Sequence, residues 1–291
     1  MSLDHYDTIS PTARLVAEMR RYSDIPFAEE IAERIGAAEV VRGMLEGEAP
    51  AAELLCWMAP TLEARYKCVV EGIRTSGVKQ VIELASGFSF RGDAMNQTAS
   101  LRYLETDLAE MHETRLHLRD ELRRDGVLAV QPHVVFAPLN AVEPDGALVA
   151  RHLLPDEPVA VVHEGLLQYF SMDEKQRVAL QVADILRRHG GVWLTPDFEV
   201  ISGAALKHWT HPHFMRIHSA IARSTHRSLR GAAFTSVEEV ERFLSGLGFQ
   251  ATPRPQIDGT FPLSSVGRVG TTPEQVELLR RDRLLWEIRL R

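Results

Sequence analysis

Residues 79–107, KQVIELASGFSFRGDAMNQTASLRYLETD, carry the clearest indication of the fold. The stretch opens with residues 81–84, a β-branched and apolar run that is typical of a buried parallel strand. A turn of small residues, 85–87, follows, and the backbone there can lie close to a ligand because few side chains intervene. A helical segment over residues 92–98 and a strand over residues 101–104 complete a predicted β-α-β unit.

Two acids, Glu105 and Asp107, follow the second predicted strand. An acid at this position of a nucleotide-binding unit accepts hydrogen bonds from ribose hydroxyls. The turn differs from the dinucleotide fingerprint, because Ala85 replaces the first glycine and Glu83 stands on the strand. A carboxylate beside the turn repels a pyrophosphate but suits a ligand that carries an amino group and a sulfonium. These features favour S-adenosylmethionine, although a small-residue turn alone also fits a plain tight connection.

The composition is that of an ordinary globular protein. The chain has 291 residues, of which 45% are hydrophobic and 25% charged, and its net charge is −7. We expect no nucleic acid as partner, because phosphate binding needs a basic face, and no membrane, because no apolar run approaches the length that spans a bilayer. Cys56 and Cys68 fall in one predicted helix, so we expect them to be reduced, as in a cytoplasmic protein. The sequence leaves the oligomeric state open.

Predicted strands and helices alternate after residue 79, which predicts an α/β fold with a doubly wound, mostly parallel sheet. The seven predicted strands cover residues 81–84, 101–104, 134–136, 159–163, 191–195, 250–253 and 284–290. The last alternates apolar and polar residues, as an antiparallel edge strand would. The intervening helices are expected at residues 92–98, 109–124, 141–152 and 172–189. Ligands of such sheets bind at the carboxyl ends of the strands.

Two further segments frame the predicted sheet. Residues 1–78 contain predicted helices without a core of their own, and we expect them to form an N-terminal cap over the sheet. Residues 79–291 then form the main domain. An insertion over residues 197–235 breaks the alternation, is rich in histidine and aromatic residues, and is expected to act as a lid.

Five motifs in order resemble the leucine carboxyl methyltransferase family, which includes carboxyl and O-methyltransferases of bacterial polyketide pathways. They read IELASGFSFRG, YLETDL, APLN, VVHEGLLQYF and VWLTPD. The resemblance covers most of the chain from Asp24, and its most specific part is Glu164-Gly165-Leu166-Leu167-x-Tyr169. It implies a Rossmann-like class I methyltransferase domain that uses S-adenosylmethionine.

The resemblance also implies roles for individual residues. Arg65 would pair with the methionine carboxylate, Glu164 would face the amino group, and Asp107, rather than Glu105, would hold the ribose. The expected cofactor-binding residues are Arg65, Glu83, Ala85, Ser86, Gly87, Glu105, Asp107, Leu139, Asn140, Glu164 and Gly165. Two departures matter: Pro138 stands where the family has an aspartate, so Asn140 is the candidate contact to the adenine amine, and Ala85 replaces a glycine.

Methyl transfer from a sulfonium needs alignment of the nucleophile and exclusion of water, and it needs no metal. A carboxylate acceptor requires no base, whereas a phenol would benefit from one, for which His163 is the candidate. A hydrogen-bonded His163 that faces away from the methyl group is an equally good interpretation. The expected acceptor-binding residues are Tyr169, His208, Trp209 and His211, with a metal site at His208, His211 and His213 as a minor alternative.

The sequence thus predicts an S-adenosylmethionine-dependent O-methyltransferase that acts on a carboxylate or hydroxyl of a small molecule, in secondary metabolism. The alternatives are transfer to nitrogen or carbon, a nicotinamide-dependent reductase, and a cofactor-binding protein that transfers no methyl group. Ala85 and Glu83 speak against the reductase.

Overall fold

The computed structural model describes residues 10–143, 146–200, 212–225 and 233–291. The helices are α1 (Ser10–Arg20), α2 (Ala28–Arg34), α3 (Ala37–Met44), α4 (Ala52–Ser76), α5 (Arg91–Met95), α6 (Ala109–Arg124), α7 (Gly146–His152), α8 (Met172–His189), α9 (Pro212–Thr225), α10 (Val237–Gly246), α11 (Ser264–Val269) and α12 (Pro273–Asp282). The strands are β1 (Gln80–Leu84), β2 (Arg102–Asp107), β3 (Val134–Pro138), β4 (Val159–His163), β5 (Gly191–Thr195), β6 (Phe249–Pro255) and β7 (Leu284–Leu290).

The seven strands form one sheet in the order β3-β2-β1-β4-β5-β7-β6. Strands β1 to β5 pair in parallel, and β7 is antiparallel to both β5 and β6. The chain therefore reverses its winding between β1 and β4, and this switch point is where an open α/β sheet offers a ligand crevice. The predicted doubly wound, mostly parallel sheet of seven strands is confirmed.

The expectation that residues 284–290 form an edge strand is wrong. β7 lies between β5 and β6, and β6 is the edge. The polar positions of β7 mislead because Glu287 and Arg289 lie on one face and pair with each other, with 2.8 Å between Nη2 of Arg289 and Oε1 of Glu287. The alternation therefore reports one partly solvated face rather than an unpaired side of the strand.

Helix α4 packs directly on the sheet, against β4, β5 and β7. Its apolar stripe, which includes Tyr66, Val69 and Ile73, is buried in one cluster with β-strand residues such as Val162 and Val192. The other N-terminal helices pack mainly on one another and across α4. The sequence missed α3, α11 and α12, and it began α7 several residues too early. The boundary at residue 78 stays a prediction.

The two cysteines lie in α4 as expected, and both are free thiols. Helix α8 begins at a capping box of Ser171 and Glu174, which accounts for its sharp N-terminus. Among the described residues, every helix is too short or too polar to cross a membrane. The candidate residues His208, Trp209 and His211 lie outside the described residues, so the lid and the acceptor contacts expected there stay predictions.

Candidate functional site

A cleft lies at the carboxyl ends of β1, β2, β3 and β4, and α1 forms its opposite wall. Its empty volume, taken to the open mouth, is about 1120 Å³. The structure brings eleven of the predicted site residues to this cleft: Arg65, Glu83, Ala85, Ser86, Gly87, Asp107, Leu139, Asn140, Glu164, Gly165 and Tyr169. Glu105 and His163 do not line it.

The turn after β1 has the backbone shape that the small residues suggested. Ala85 and Gly87 have left-handed φ angles of 50° and 52°. The N–H of Ser86 donates to the carbonyl of Thr106 at 2.8 Å, and the N–H of Gly87 donates to Oδ2 of Asp107 at 2.7 Å. The turn is thus tied to the end of β2, and its backbone forms part of the cleft floor. Left-handed Ala85 also explains why a glycine is the easier residue at this position.

Asp107 is 8% exposed and faces the cleft from the end of β2. Its Oδ2 accepts the Gly87 N–H and its Oδ1 accepts the Leu108 N–H at 2.8 Å. Burial raises the pKa of Asp107, and these two backbone donors oppose that rise. Each oxygen keeps a second lone pair, so the fixed carboxylate can still accept hydrogen bonds from vicinal hydroxyls.

Glu105 is fully buried, and both of its carboxylate oxygens accept hydrogen bonds from other groups of the protein. One of its oxygens accepts from the Arg115 guanidinium, and the other accepts the Gly92 N–H at 3.0 Å. Arg115 in turn reaches the Ser86 hydroxyl at 3.0 Å. Of the two acids predicted to hold the ribose, the geometry therefore favours Asp107. Glu105 instead stabilises the turn at residues 85–87, because it binds Arg115, which contacts that turn.

Glu164 lies at the centre of a buried group of charges. Its Oε1 accepts from Arg20 at 2.7 Å, its Oε2 accepts from Arg91 at 2.6 Å, and the Nε of Arg65 lies 3.6 Å away. Burial alone would raise the pKa of Glu164, but the three arginines outweigh it and lower that pKa. The Glu164 side chain is only 4% exposed, so these pairs are poorly screened by water.

Glu83 lines the cleft, but its carboxylate is already used by the protein. It pairs with Arg91, accepts the Tyr103 hydroxyl at 2.8 Å and accepts the Ser89 hydroxyl at 3.2 Å. Arg91 neutralises the charge of Glu83. The same ion pair orients the Arg91 guanidinium toward Glu164. Direct contact of Glu83 with a cofactor stays a prediction.

His163 is fully buried, and both of its ring nitrogens are hydrogen-bonded. The Trp193 indole N–H donates to Nε2 at 2.9 Å, which leaves Nδ1 as the donor to Oδ2 of Asp197 at 2.7 Å. The candidate base therefore faces away from the cleft, into the core. The geometry supports the alternative interpretation of His163 as a hydrogen-bonded core residue.

Asp197, at the end of β5, organises the loop that carries Glu164. Besides His163, it accepts the backbone N–H groups of Gly165, Leu166 and Leu167 at 2.7, 2.8 and 3.1 Å. Burial alone would raise the pKa of Asp197, but the hydrogen bond from His163, the charge of Arg65 and the Gly165 N–H lower it to about 2.

The sequence predicted that helices of residues 1–78 cover the sheet, but it named no residue of α1 as part of the cleft. The α1 residues Thr12, Ala13, Val16, Ala17 and Arg20 line the cleft opposite the sheet. Arg20 is 7% exposed, and it reaches Glu164 across 144 positions of sequence. No local signal places a helix over a distant strand end; the small residues along one side of α1 are the only hint.

The residues present fit S-adenosylmethionine. The Nε atoms of Arg20 and Arg65 are buried without a hydrogen-bond acceptor among the described residues, and a carboxylate would supply one. Glu164 offers a carboxylate to an ammonium group, and Asp107 offers one to ribose hydroxyls. When bound, this cofactor supplies an electrophilic methyl group; the chain binds it, orients it and keeps water out.

The strand order and the cleft at its switch point define a class I methyltransferase fold. The family model for leucine carboxyl methyltransferase matches residues 17–183, which is more than half of the 291 residues. The chain belongs to the leucine carboxyl methyltransferase family and is an S-adenosylmethionine-dependent methyltransferase. This confirms the predicted family, cofactor and enzyme class over the reductase alternative. No protein with curated function matches the chain.

Solved structures share the fold at low sequence identity. A candidate methyltransferase from Thermobifida fusca YX is 18% identical with a TM-score of 0.59, over 87% of this chain and 89% of its own. A DUF574 family protein from Streptomyces avermitilis MA-4680 is 14% identical with a TM-score of 0.59, over 96% and 97%. The O-methyltransferase NcsB1 of neocarzinostatin biosynthesis, solved with S-adenosylmethionine and 2-hydroxy-5-methyl naphthoic acid, is 11% identical with a TM-score of 0.50, over 91% of this chain and 61% of NcsB1.

Proposed function

We propose that the protein transfers the methyl group of S-adenosylmethionine to an oxygen of a small organic acid in secondary metabolism, with a carboxylate as the preferred acceptor. The observation that carries the proposal is that Arg20 and Arg65 both line the cleft that also holds Asp107. One guanidinium suffices for the methionine carboxylate, so the other keeps an Nε donor, without an acceptor among the described residues, that can pair with an anionic acceptor.

The transfer step needs little beyond positioning. A carboxylate oxygen is ionised at neutral pH, and it attacks the methyl carbon as the bond from that carbon to sulfur breaks, so that S-adenosylhomocysteine leaves. In the described part of the cleft, the ionisable side chains are Arg20, Arg65, Glu83, Asp107, Glu110, Glu164 and Tyr169. A carboxylate acceptor can react in such surroundings without giving up a proton.

A panel of acceptors tests this proposal. The protein is incubated with methyl-labelled S-adenosylmethionine and with aromatic carboxylic acids, phenols or amines, including 2-hydroxy-5-methyl naphthoic acid, which offers both a carboxylate and a hydroxyl. We expect labelled products from the acids, and mild alkali should release their label as methanol, because esters hydrolyse whereas ethers and methylamines do not. Alkali-stable label on every product would refute the carboxylate assignment.

Transfer to a phenolic hydroxyl is the second candidate. Tyr169 lines the cleft, so an aromatic acceptor would find an aromatic neighbour there. A phenol has a pKa near 10 and would need a base, for which we propose His208 or His211 of the insertion in place of His163. Their replacement by glutamine should abolish transfer to phenols and leave transfer to acids intact if both reactions occur.

A further inference from the structure

The turn at residues 85–87 is held from the inside of the protein by one arginine of α6. Arg115 is fully buried. Its Nη1 donates to the Ser86 hydroxyl at 3.0 Å and to the carbonyl of Gly87 at 2.5 Å. Its Nη2 donates to Oε2 of Glu105 on β2 at 2.5 Å. A single guanidinium therefore joins two residues of the turn to the neighbouring strand.

Two aromatic rings fix the orientation of the Arg115 guanidinium. Its Cζ lies 4.3 Å from the ring centroid of Phe90 and 4.6 Å from that of Phe136. These are cation–π contacts, and the flat guanidinium suits them because it can stack on an aromatic face. Arg115 cannot turn away from its three acceptors without losing the contacts with the rings, so the protein itself fixes the direction of its donors.

The turn depends on such support because its backbone is not relaxed. Ala85 has a left-handed φ angle of 50°, which costs free energy for a residue that carries a Cβ. The turn is also coupled to Asp107, since the N–H of Gly87 donates to Oδ2 of that residue at 2.7 Å. Loss of the hydrogen bonds from Arg115 would therefore disturb both the turn and Asp107, which line the cleft.

We propose that Arg115 is a positioning residue for the cofactor: it holds the turn at residues 85–87, and through Gly87 also Asp107, in the geometry that binds S-adenosylmethionine. Arg115 acts through these residues, because it contacts the turn from its buried side. A site that is already ordered binds its ligand more tightly, since less conformational freedom is lost on binding. The inference is independent of the methyl acceptor, and it rests on the proposed position of the cofactor at the turn.

Arg119 offers a matched control on the same helix. It follows Arg115 by four positions, is 4% exposed, and donates from Nη2 to both carboxylate oxygens of Asp93 at 2.8 Å. Each arginine thus pairs with one buried acid, and lysine at either position keeps the charge but loses the planar fork of donors. Among the described residues, the hydrogen bonds of Arg119 go to Asp93 and none of them reaches the turn.

Calorimetric titration with S-adenosyl-L-homocysteine compares Arg115→Lys with Arg119→Lys, at a temperature at which both variants are folded. The single ammonium of Arg115→Lys can pair with Glu105, but it cannot also reach the two acceptors in the turn as the fork does. We expect the Kd of Arg115→Lys to exceed that of Arg119→Lys at least about fivefold, because two hydrogen bonds that order the turn are lost.

Hydrogen exchange shows whether the effect on binding arises at the turn. Mass spectrometry follows exchange in peptides that cover residues 85–90, in the unaltered protein and in both variants. We expect Arg115→Lys to exchange faster in this segment, and Arg119→Lys to leave the segment unchanged relative to the rest of the protein. A ratio of Kd values below about fivefold, or unchanged exchange of residues 85–90 in Arg115→Lys, would overturn the proposal.

Phe136→Leu replaces Arg115→Lys if the latter does not fold. It keeps the three acceptors but removes one of the two rings that orient the guanidinium. We expect the Kd for S-adenosyl-L-homocysteine to rise at least about threefold over the unaltered protein, with faster exchange at residues 85–90. A smaller rise, or a rise without faster exchange there, would then overturn the proposal.

Asp107→Ala distinguishes a failure of this inference from a failure of the cofactor position. If the cofactor lies at the turn, that variant weakens binding of S-adenosyl-L-homocysteine strongly, whatever Arg115 does. If Asp107→Ala leaves the Kd unchanged, the cofactor does not lie at the turn, and the proposed position is itself wrong.

Discussion

The two ends of the cleft are built in different ways. At the ends of β1 and β4, Arg91 pairs with both Glu83 and Glu164, and Glu164 also pairs with Arg20. Each of these four charges therefore has a protein partner. At the ends of β2 and β3, Asp107 accepts from two backbone N–H groups, and the cleft residues that follow β3, Leu139 and Asn140, are uncharged. The first end is a paired ionic network, and the second is a single carboxylate held by the backbone.

The two constructions predict different couplings between ligand binding and stability. At the network, removal of one charge leaves another buried and unpaired, so a change there costs folding free energy as well as affinity. Asp107 faces the cleft, so in a variant without its carboxylate, water in the cleft can accept hydrogen bonds from the Gly87 and Leu108 N–H groups. A change there should cost mainly affinity.

The largest effect is expected for Glu164→Ala. This change leaves Arg20 and Arg91 without their shared acceptor, and we expect the free energy of unfolding to fall by about 3–5 kcal/mol. Denaturant unfolding measures it, with Asp184→Ala as control, because the Asp184–Arg187 pair is more than half exposed and is worth under about 0.5 kcal/mol. Equal losses of unfolding free energy in the two variants would show that water screens the charges of the network as strongly as those of an exposed ion pair.

Asp107→Ala should separate binding from stability. We expect the affinity for S-adenosyl-L-homocysteine to fall at least about 30-fold, because two charge-assisted hydrogen bonds to the ribose are lost. The free energy of unfolding should change by about 1–2 kcal/mol at most. Calorimetry and denaturant unfolding measure both. If Asp107→Ala costs as much stability as Glu164→Ala, the two ends do not differ in the way described.

Asp197 gives the network a dependence on pH. Its pKa of about 2 lies below the ordinary value of 3.8, so it stabilises the fold above that ordinary value, and the stabilisation is lost as the pH falls toward 2. In the unaltered protein we expect the free energy of unfolding to fall by about 1–2 kcal/mol between about pH 5 and pH 2 because Asp197 takes up a proton. In Asp197→Asn this contribution to the pH dependence should be absent. Parallel pH curves for the two proteins would contradict it.

The smallest effect is expected for Ala85→Gly. Ala85 has a φ angle of 50°, which glycine adopts without strain, but glycine also gains entropy in the unfolded chain. The relief of backbone strain in the folded state and the added entropy of the unfolded state nearly offset each other. We therefore expect thermal unfolding to show a stabilisation of no more than about 1 kcal/mol. A loss of stability would show that the methyl group of Ala85 contributes packing in the cleft.

Local patterns were sufficient for most of the sheet. Strands β4 and β5 have the predicted bounds, since continuous apolar runs between turn residues mark buried parallel strands. Asp107 and the turn at residues 85–87 were also predicted, because they are adjacent along the chain to the strands that hold them. The edge position of β7 was wrong, since alternation describes the solvation of the faces of a strand and not the strands beside it.

The site could be predicted only in part. His163 stands next to Glu164 in sequence, yet its ring faces the core, because successive residues of a strand point to opposite faces. Arg20 joins the cleft although nothing near it in sequence indicates a ligand site. The orientation of the Asn140 amide follows from a hydrogen bond to Val142 that the residue type alone does not imply.

Local sequence patterns were enough for the succession of strands along the chain, the acid at the end of β2 and the family, since each depends on residues close together in the chain. The convergence of Arg20, Arg65 and Arg91 on Glu164, the internal pairing of Glu105 and the orientation of His163 away from the cleft became apparent only in the folded molecule. These outcomes depend on which buried charges and donors find partners, and that is settled when distant segments pack together.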